Sequence, residues 1–123
     1  MGIKISEDEI YFWYKIKKIA QIISYENDSD EALSYIVNKF EDYSNPSIKI
    51  LNDMANIYKR NKKFEKSINY YSLLLKKLNK KSEAYADVLY KRGSSYERLG
   101  EHKSSDDDLL KSLSINWQII YIK

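Results

Sequence analysis

The side chains that could do chemistry are few in this chain, and their spacing argues against an enzyme. The single histidine, His102, follows Gly100 at the expected start of a helix, so we predict that it is exposed to solvent and is not a catalytic base. Asp106, Asp107 and Asp108 form the densest run of carboxylates, but consecutive helical residues point in different directions and cannot converge on one metal ion. We interpret them as a solvated face near a helix N-terminus. The sequence predicts no catalytic residue, no metal site and no cofactor.

The composition is typical of a helical protein of one domain. The 123 residues include one proline and three glycines, so most of the chain can be helical, and the glycines are too scattered for a phosphate-binding loop. The absence of cysteine excludes disulfides and thiol chemistry. Residues 1–20 mix acidic residues with lysines and do not resemble a secretory signal, and no apolar run is long enough to cross a bilayer. We expect a cytoplasmic protein that does not contact a membrane.

Small residues recur in pairs, always twelve positions apart, and this spacing predicts the fold. The pairs are Ala20 with Ala32, Ala55 with Ser67, and Gly93 with Ser105. Large apolar residues flank each pair at constant distances, and the pairs begin 35 and then 38 residues apart. Two antiparallel helices approach closely only where the side chains at their crossing are small. The pattern therefore predicts three stacked helix–turn–helix units rather than one globular core.

Boundary signals predict about seven helices. Capping signals open the first helix at Ser6 and the second at Asp28, and Asn45-Pro46 begins the third with the proline in its first turn. Ser82 is predicted to cap the fifth helix, and Gly100 is predicted to end it. The expected spans are about 6–25, 28–43, 46–60, 64–79, 82–99 and 102–114, followed by a partial capping helix at 117–123.

These residues resemble the tetratricopeptide repeat, a helix–turn–helix unit of about 34 residues. The resemblance is strongest over residues 89–101 (LYKRGSSYERLGE), nearly as strong over 51–58 with 64–68, and weakest around Ala20 and Ala32. It implies an all-α fold, a right-handed α-solenoid of about three repeats plus a short C-terminal helical segment, in a single domain over residues 1–123. The implied repeats are about 10–45, 46–82 and 83–116. The chain departs from the family pattern at Lys39, Arg92 and Ser112.

The resemblance also implies a binding site. In this family the first helices of successive repeats line a concave groove that takes a peptide, and the matching face lies one residue past each packing position. The implied groove residues are Lys17, Gln21, Asn52, Asn56, Lys59, Tyr90, Lys91 and Ser94, with Ser24 and Glu97 beside them. Amides, lysines and a tyrosine suit hydrogen bonding to a peptide backbone and to acidic side chains. The implied function is a protein–protein interaction scaffold without enzymatic activity.

One subset of the family clamps the C-terminal carboxylate of heat-shock chaperones with two lysines, two asparagines and an arginine. Lys17 matches the first lysine, and Gln21 and Lys91 are chemically close to the first asparagine and the arginine. Asp53 stands in place of the second asparagine, and Asp87 stands in place of the second lysine. An acidic residue where a cation is required argues against that ligand.

Two alternative functions stay open. The apolar segment 117–122 and the aromatic cluster 11–14 are candidates for self-association with a second copy of the chain. RNA binding through the lysine-rich turns at 59–66 and 76–81 is less favoured, because the net charge is only +3 and 18 acidic residues offset the basic ones. The identity of the partner does not follow from the fold.

Overall fold

The structure, a computed structural model, describes residues 7–26, 29–40 and 46–122. Within these ranges the chain is helical and has no strand, which confirms the all-α prediction. The helices are α1 (Glu7–Glu26), α2 (Ser29–Phe40), α3 (Ile48–Arg60), α4 (Phe64–Lys77), α5 (Glu83–Arg98) and α6 (His102–Tyr121). The chain divides into two compact units, unit 1 (residues 1–50) and unit 2 (residues 51–123). A single domain over residues 1–123 stays a prediction.

The ends of α5 follow the predicted local signals. The Ser82 hydroxyl accepts a hydrogen bond from the backbone N–H of Tyr85 at 3.1 Å, so Ser82 is the N-cap. Gly100 follows the helix with a φ of +79°, a left-handed conformation that favours glycine. Both predictions are confirmed.

The start of α3 differs from the prediction. Pro46 precedes the helix instead of lying in its first turn, and the Ser47 hydroxyl accepts a hydrogen bond from the backbone N–H of Ile50 at 3.2 Å. A serine side chain satisfies a helix N–H that would otherwise lack a partner, which favours a start directly after Ser47. The predicted caps at Ser6 and Asp28 lie outside the described residues.

The C-terminal end also differs from the prediction. Helix α6 continues through Trp117 to Tyr121, so the partial capping helix predicted at 117–123 is an extension of α6 and not a separate element. Residues 112–121 contain no glycine or proline that would end the helix. Extending an existing helix adds one hydrogen bond per residue, whereas a new short helix must first be nucleated at a cost.

Unit 1 contains the helical hairpin of α1 and α2. Trp13 is almost completely buried, and its ring meets that of Phe40 edge-on with the ring centroids 6.4 Å apart. The small residues Ala20 and Ala32 are both buried. This agrees with the prediction that small side chains lie where the paired helices cross.

Unit 2 stacks α4 on α5 and α5 on α6. The Ser67 and Ser95 hydroxyls are both buried and form a hydrogen bond at 2.9 Å, which joins α4 to α5. The Ser112 hydroxyl donates to the backbone carbonyl of Ala86 at 2.6 Å, which joins α6 to α5. Ser112, which departs from the alanine of the family pattern, therefore contributes a buried hydrogen bond of its own.

Helix α5 lies close to α6 at Gly93. A Cβ atom built on Gly93 would lie 3.2 Å from the Asp108 Cβ and 3.2 Å from the Leu109 Cγ. This is closer than ordinary van der Waals contact, so the absence of a side chain at Gly93 sets the separation of the two helices.

Arg92, another departure from the family pattern, forms the polar centre of unit 2. Its Nε and Nη2 each donate to one carboxylate oxygen of Asp108 at 2.7 Å, and its Nη1 donates to the Ser72 hydroxyl at 3.1 Å. Asp108 is buried, whereas Asp106 and Asp107 are exposed as predicted. The predicted solvated role is therefore wrong for Asp108. The reason is helical phase, because Asp108 lies three residues after the buried Ser105 and shares its face.

Candidate functional site

Six of the eight predicted groove residues lie in unit 2, and we refer to their surface as the α3/α5 face. The α3/α5 face comprises Asn52, Asn56 and Lys59 on α3 with Tyr90, Lys91 and Ser94 on α5. Five of these side chains are half-buried, and Tyr90 is exposed. The other two predicted residues lie on α1 in unit 1, where Lys17 is half-buried and Gln21 is exposed. A role of all eight in binding stays a prediction.

Tyr71 of α4 takes part in the α3/α5 face, although sequence reasoning did not include it. Its side chain is fully buried, and its hydroxyl donates to the Asn56 Oδ1 at 2.5 Å. Burial and the negative charge of Asp87 on α5 raise the pKa of Tyr71 to about 12. The sequence held one signal for this role. Tyrosine instead of phenylalanine at a buried packing position implies a hydrogen-bond acceptor nearby.

The raised pKa of Tyr71 predicts a loss of stability in strong base. The folded protein keeps the phenol proton until about pH 12, whereas the unfolded chain releases it near the ordinary pKa of 10.0. Between these values the unfolded state binds fewer protons, so the free energy of unfolding should fall as the pH rises. The contribution of Tyr71 is fully present below about pH 10 and is lost as the pH approaches about 12.

Urea unfolding measured at a series of pH values checks this prediction. In the variant Tyr71→Phe the decline between about pH 10 and about pH 12 should be shallower than in the wild type. All other residues are the same in the two proteins, so the difference between the two curves isolates Tyr71. Two curves that run parallel would contradict the assignment.

Two ion pairs engage acidic residues near the α3/α5 face. The Lys91 Nζ lies 3.2 Å from the Asp87 Oδ2, one helical turn apart on α5. The His102 Nδ1 lies 3.1 Å from the Glu97 Oε2, and this contact raises the pKa of His102. The predicted exposure of His102 is confirmed. Both pairs are open to solvent and contribute little to stability. Lys91 offsets the Asp87 carboxylate, which would otherwise repel an acidic ligand, and His102 offsets Glu97 when its imidazole is protonated.

Lys59 lies among other cations. Burial lowers the pKa of its ammonium group, and the positive charges of Lys91 and Arg98 lower it further. Among the described residues, no ion pair joins Lys59 to a carboxylate. Arg98 is held with its guanidinium carbon 5.2 Å from the centre of the Phe64 ring. A half-buried cation with cationic neighbours is a favourable place for an anion, because the anion relieves their mutual repulsion.

Over residues 7–26, 29–40 and 46–122, no three histidine, aspartate or glutamate side chains come together as a metal site would require. None of the helices in the same ranges combines the length and the apolar character needed to span a bilayer.

The comparison with protein families agrees with the geometry of unit 2. The tetratricopeptide repeat family matches residues 48–76 and 86–116. The first match covers α3 and nearly all of α4, and the second covers most of α5 and α6. A repeat at 10–45 lies outside both matches and stays a prediction. A comparison with curated proteins gives no match. The chain is a tetratricopeptide repeat protein, with an all-α fold of helical repeats.

Proposed function

We propose that the α3/α5 face binds an acidic segment of a partner protein. Tetratricopeptide repeats generally mediate protein–protein interactions, and two such repeats make up unit 2. The observation that carries the proposal is Lys59, a half-buried cation whose charged neighbours Lys91 and Arg98 are also cations. A carboxylate bound over Lys59 would replace repulsion among these groups with charge-assisted hydrogen bonds.

The polar residues of the α3/α5 face suit an extended peptide. The Asn56 Oδ1 already accepts a hydrogen bond from the Tyr71 hydroxyl. The amide nitrogen of Asn56 would therefore be the group that donates to a carbonyl of the peptide. Asn52 and Ser94 are half-buried and add short polar groups, and Tyr90 offers an exposed ring for an apolar side chain of the ligand. Backbone hydrogen bonds would supply general affinity, and the cations would select acidic sequences.

Peptide pools of fixed charge test the proposal. Fluorescence anisotropy would compare labelled decapeptide pools that are rich in glutamate and aspartate, in lysine, or in neutral polar residues. The acidic pool is expected to bind most tightly, and added salt should weaken this binding because it screens the attraction between charges. A single-stranded RNA of random sequence serves as a second polyanion. Equal binding of all three peptide pools, or binding of the RNA alone, would contradict the proposal.

Lys59 gives the sharpest variant. Lys59→Met is expected to weaken binding of the acidic pool about 10-fold, because one charge-assisted contact of roughly 1.4 kcal/mol or more is lost. Lys76→Met is the matched control, since Lys76 is an exposed lysine on α4. The thermal midpoint of Lys59→Met should stay at or above that of the wild type, because the substitution removes a repelled cation. Equal effects of the two variants on binding would count against the assigned role of Lys59.

A further inference from the structure

Helix α6 carries an apolar stripe that nothing covers in the described part of the chain. The stripe consists of Leu110, Leu113, Trp117, Ile120 and Tyr121, which recur at helical spacing on one face. Each of these side chains is between 55 and 68% exposed. The buried residues of the same helix lie on a different side, namely Ser105, Asp108, Ser112 and Ile115. We refer to the five exposed residues as the α6 stripe.

The preceding repeat indicates what this face of the helix does. The paired small residues Ser67 and Ser105 are 38 positions apart, so Leu113 of α6 corresponds to Leu75 of α4. Leu75 is buried, whereas Leu113 is 66% exposed. Leu110 corresponds in the same way to Ser72, which α5 reaches through Arg92. In α4 this face is thus engaged by the next helix, and in α6 it is available for a helix from another source.

The size of the α6 stripe fits a helix pairing of moderate strength. Five large side chains that are more than half exposed offer on the order of 600 Å² of surface, at the upper end of the largest apolar patches on monomers. Two such patches would bury about 1,200 Å² in total, the lower limit for a specific protein–protein interface. The stripe therefore has enough area for a reversible dimer.

The charges around the stripe favour a second copy over a membrane surface. Residues 112–122 carry no charged side chain, so a second copy that packs against this segment meets no like charge in it. Helices that bind membrane surfaces carry many lysines and arginines on their polar face. Helix α6 instead has three aspartates against two lysines, so it would not be attracted to anionic lipids.

We propose that the chain forms a symmetric homodimer through antiparallel pairing of the α6 stripe. With the two-fold axis between positions 113 and 114, Leu113 meets its own copy and Leu110 packs against the Trp117 of the second chain. The same register places Asp106 opposite the Tyr121 of the second chain, where the phenol can donate to the carboxylate. A two-fold interface of this kind is self-complementary and closes at two copies. The α3/α5 face takes no part in it.

Sedimentation velocity over a range of concentrations tests the dimer. The wild type is expected to shift from monomer to dimer with a dissociation constant on the order of micromolar. Leu113→Glu places two carboxylates at the axis and should weaken the dimer at least about 30-fold. Leu73→Glu is the matched control, because Leu73 is an exposed leucine on α4 and lies outside the stripe. It should sediment like the wild type.

A cross-link provides a second readout that does not depend on affinity. The chain has no cysteine, so Leu113→Cys introduces a single thiol next to the proposed axis. Mild oxidation should convert this variant to a covalent dimer, and Leu73→Cys should stay largely monomeric. Three results would overturn the proposal: a wild type that stays monomeric at high concentration, oligomers that grow beyond two copies, or equal cross-linking of the two variants. Growth beyond two copies would instead indicate head-to-tail pairing through α1.

Discussion

Replacing Arg92 with leucine is expected to lower the free energy of unfolding of unit 2 by about 3 kcal/mol. The guanidinium is the bidentate partner of Asp108, which is buried and accepts from it with both carboxylate oxygens. Arg92→Leu leaves that carboxylate buried without its cation, and most of the loss comes from this uncompensated charge. Urea unfolding followed by circular dichroism measures the change.

The double variant Arg92→Leu with Asp108→Leu separates charge from packing. The family pattern has an apolar residue in place of Arg92, and replacing both members of a buried ion pair with apolar residues is often close to neutral. We therefore expect the double variant to recover most of the stability lost by Arg92→Leu. A double variant as unstable as the single one would show that the packing of the arginine stem, and not the ion pair, is what matters.

A large side chain in place of Gly93 is expected to lower the free energy of unfolding by about as much as Arg92→Leu. Gly93→Leu should lower the free energy of unfolding by about 3 kcal/mol, because the side chain would push α5 away from α6 where the two helices pack tightly. The first added carbon already lies 3.2 Å from both Asp108 and Leu109, and Asp108 cannot move aside while it is held by Arg92. For Gly93→Ala the same crowding opposes a gain in helix propensity of about 1 kcal/mol, so the net change should be small.

Gly100 provides the control for crowding. A Cβ atom on Gly100 would have no neighbour within 4 Å, but the residue has a φ of +79°. Any side chain there costs roughly 1–2 kcal/mol through backbone strain, so alanine and leucine should be equally destabilising. At Gly93 the cost should rise steeply from alanine to leucine. A cost that did not depend on side-chain size at Gly93 would argue against close packing at this crossing.

The recurring small residues were sufficient to predict the repeat fold. A pattern of small and large side chains reports directly on helix crossings, and the buried positions of Ala55, Ser67 and Gly93 follow from it. The C-terminal limit of α6 was predicted wrongly, because the sequence near Ser114 contains no stop signal and the prediction relied on the length of a typical repeat. The burial of Asp108 was also missed, since a run of three aspartates has the composition of a solvated face.

The binding face could be predicted only in outline. The positions of Asn52, Asn56 and Lys59 followed from their spacing relative to Ala55 along α3. This spacing can be read directly from the sequence. The involvement of Tyr71 and the cationic neighbourhood of Lys59 depend on residues from different helices coming together, and no spacing along one helix encodes this. The lysines of the predicted groove already suited acidic side chains, and the structure adds that Lys59 is half-buried with the cations Lys91 and Arg98 near it.

The hydrogen bonds of Arg92 affect how unit 2 unfolds, because its guanidinium contacts both repeats. Arg92 bonds Asp108 within its own repeat and Ser72 in the preceding repeat, and the Arg92–Ser72 bond must break if either repeat melts alone. Repeat proteins gain cooperativity from interactions between adjacent repeats, and this residue places a charged link at that boundary. The two repeats should therefore lose their structure in a single transition, and without the guanidinium the transition should broaden as each repeat melts by itself.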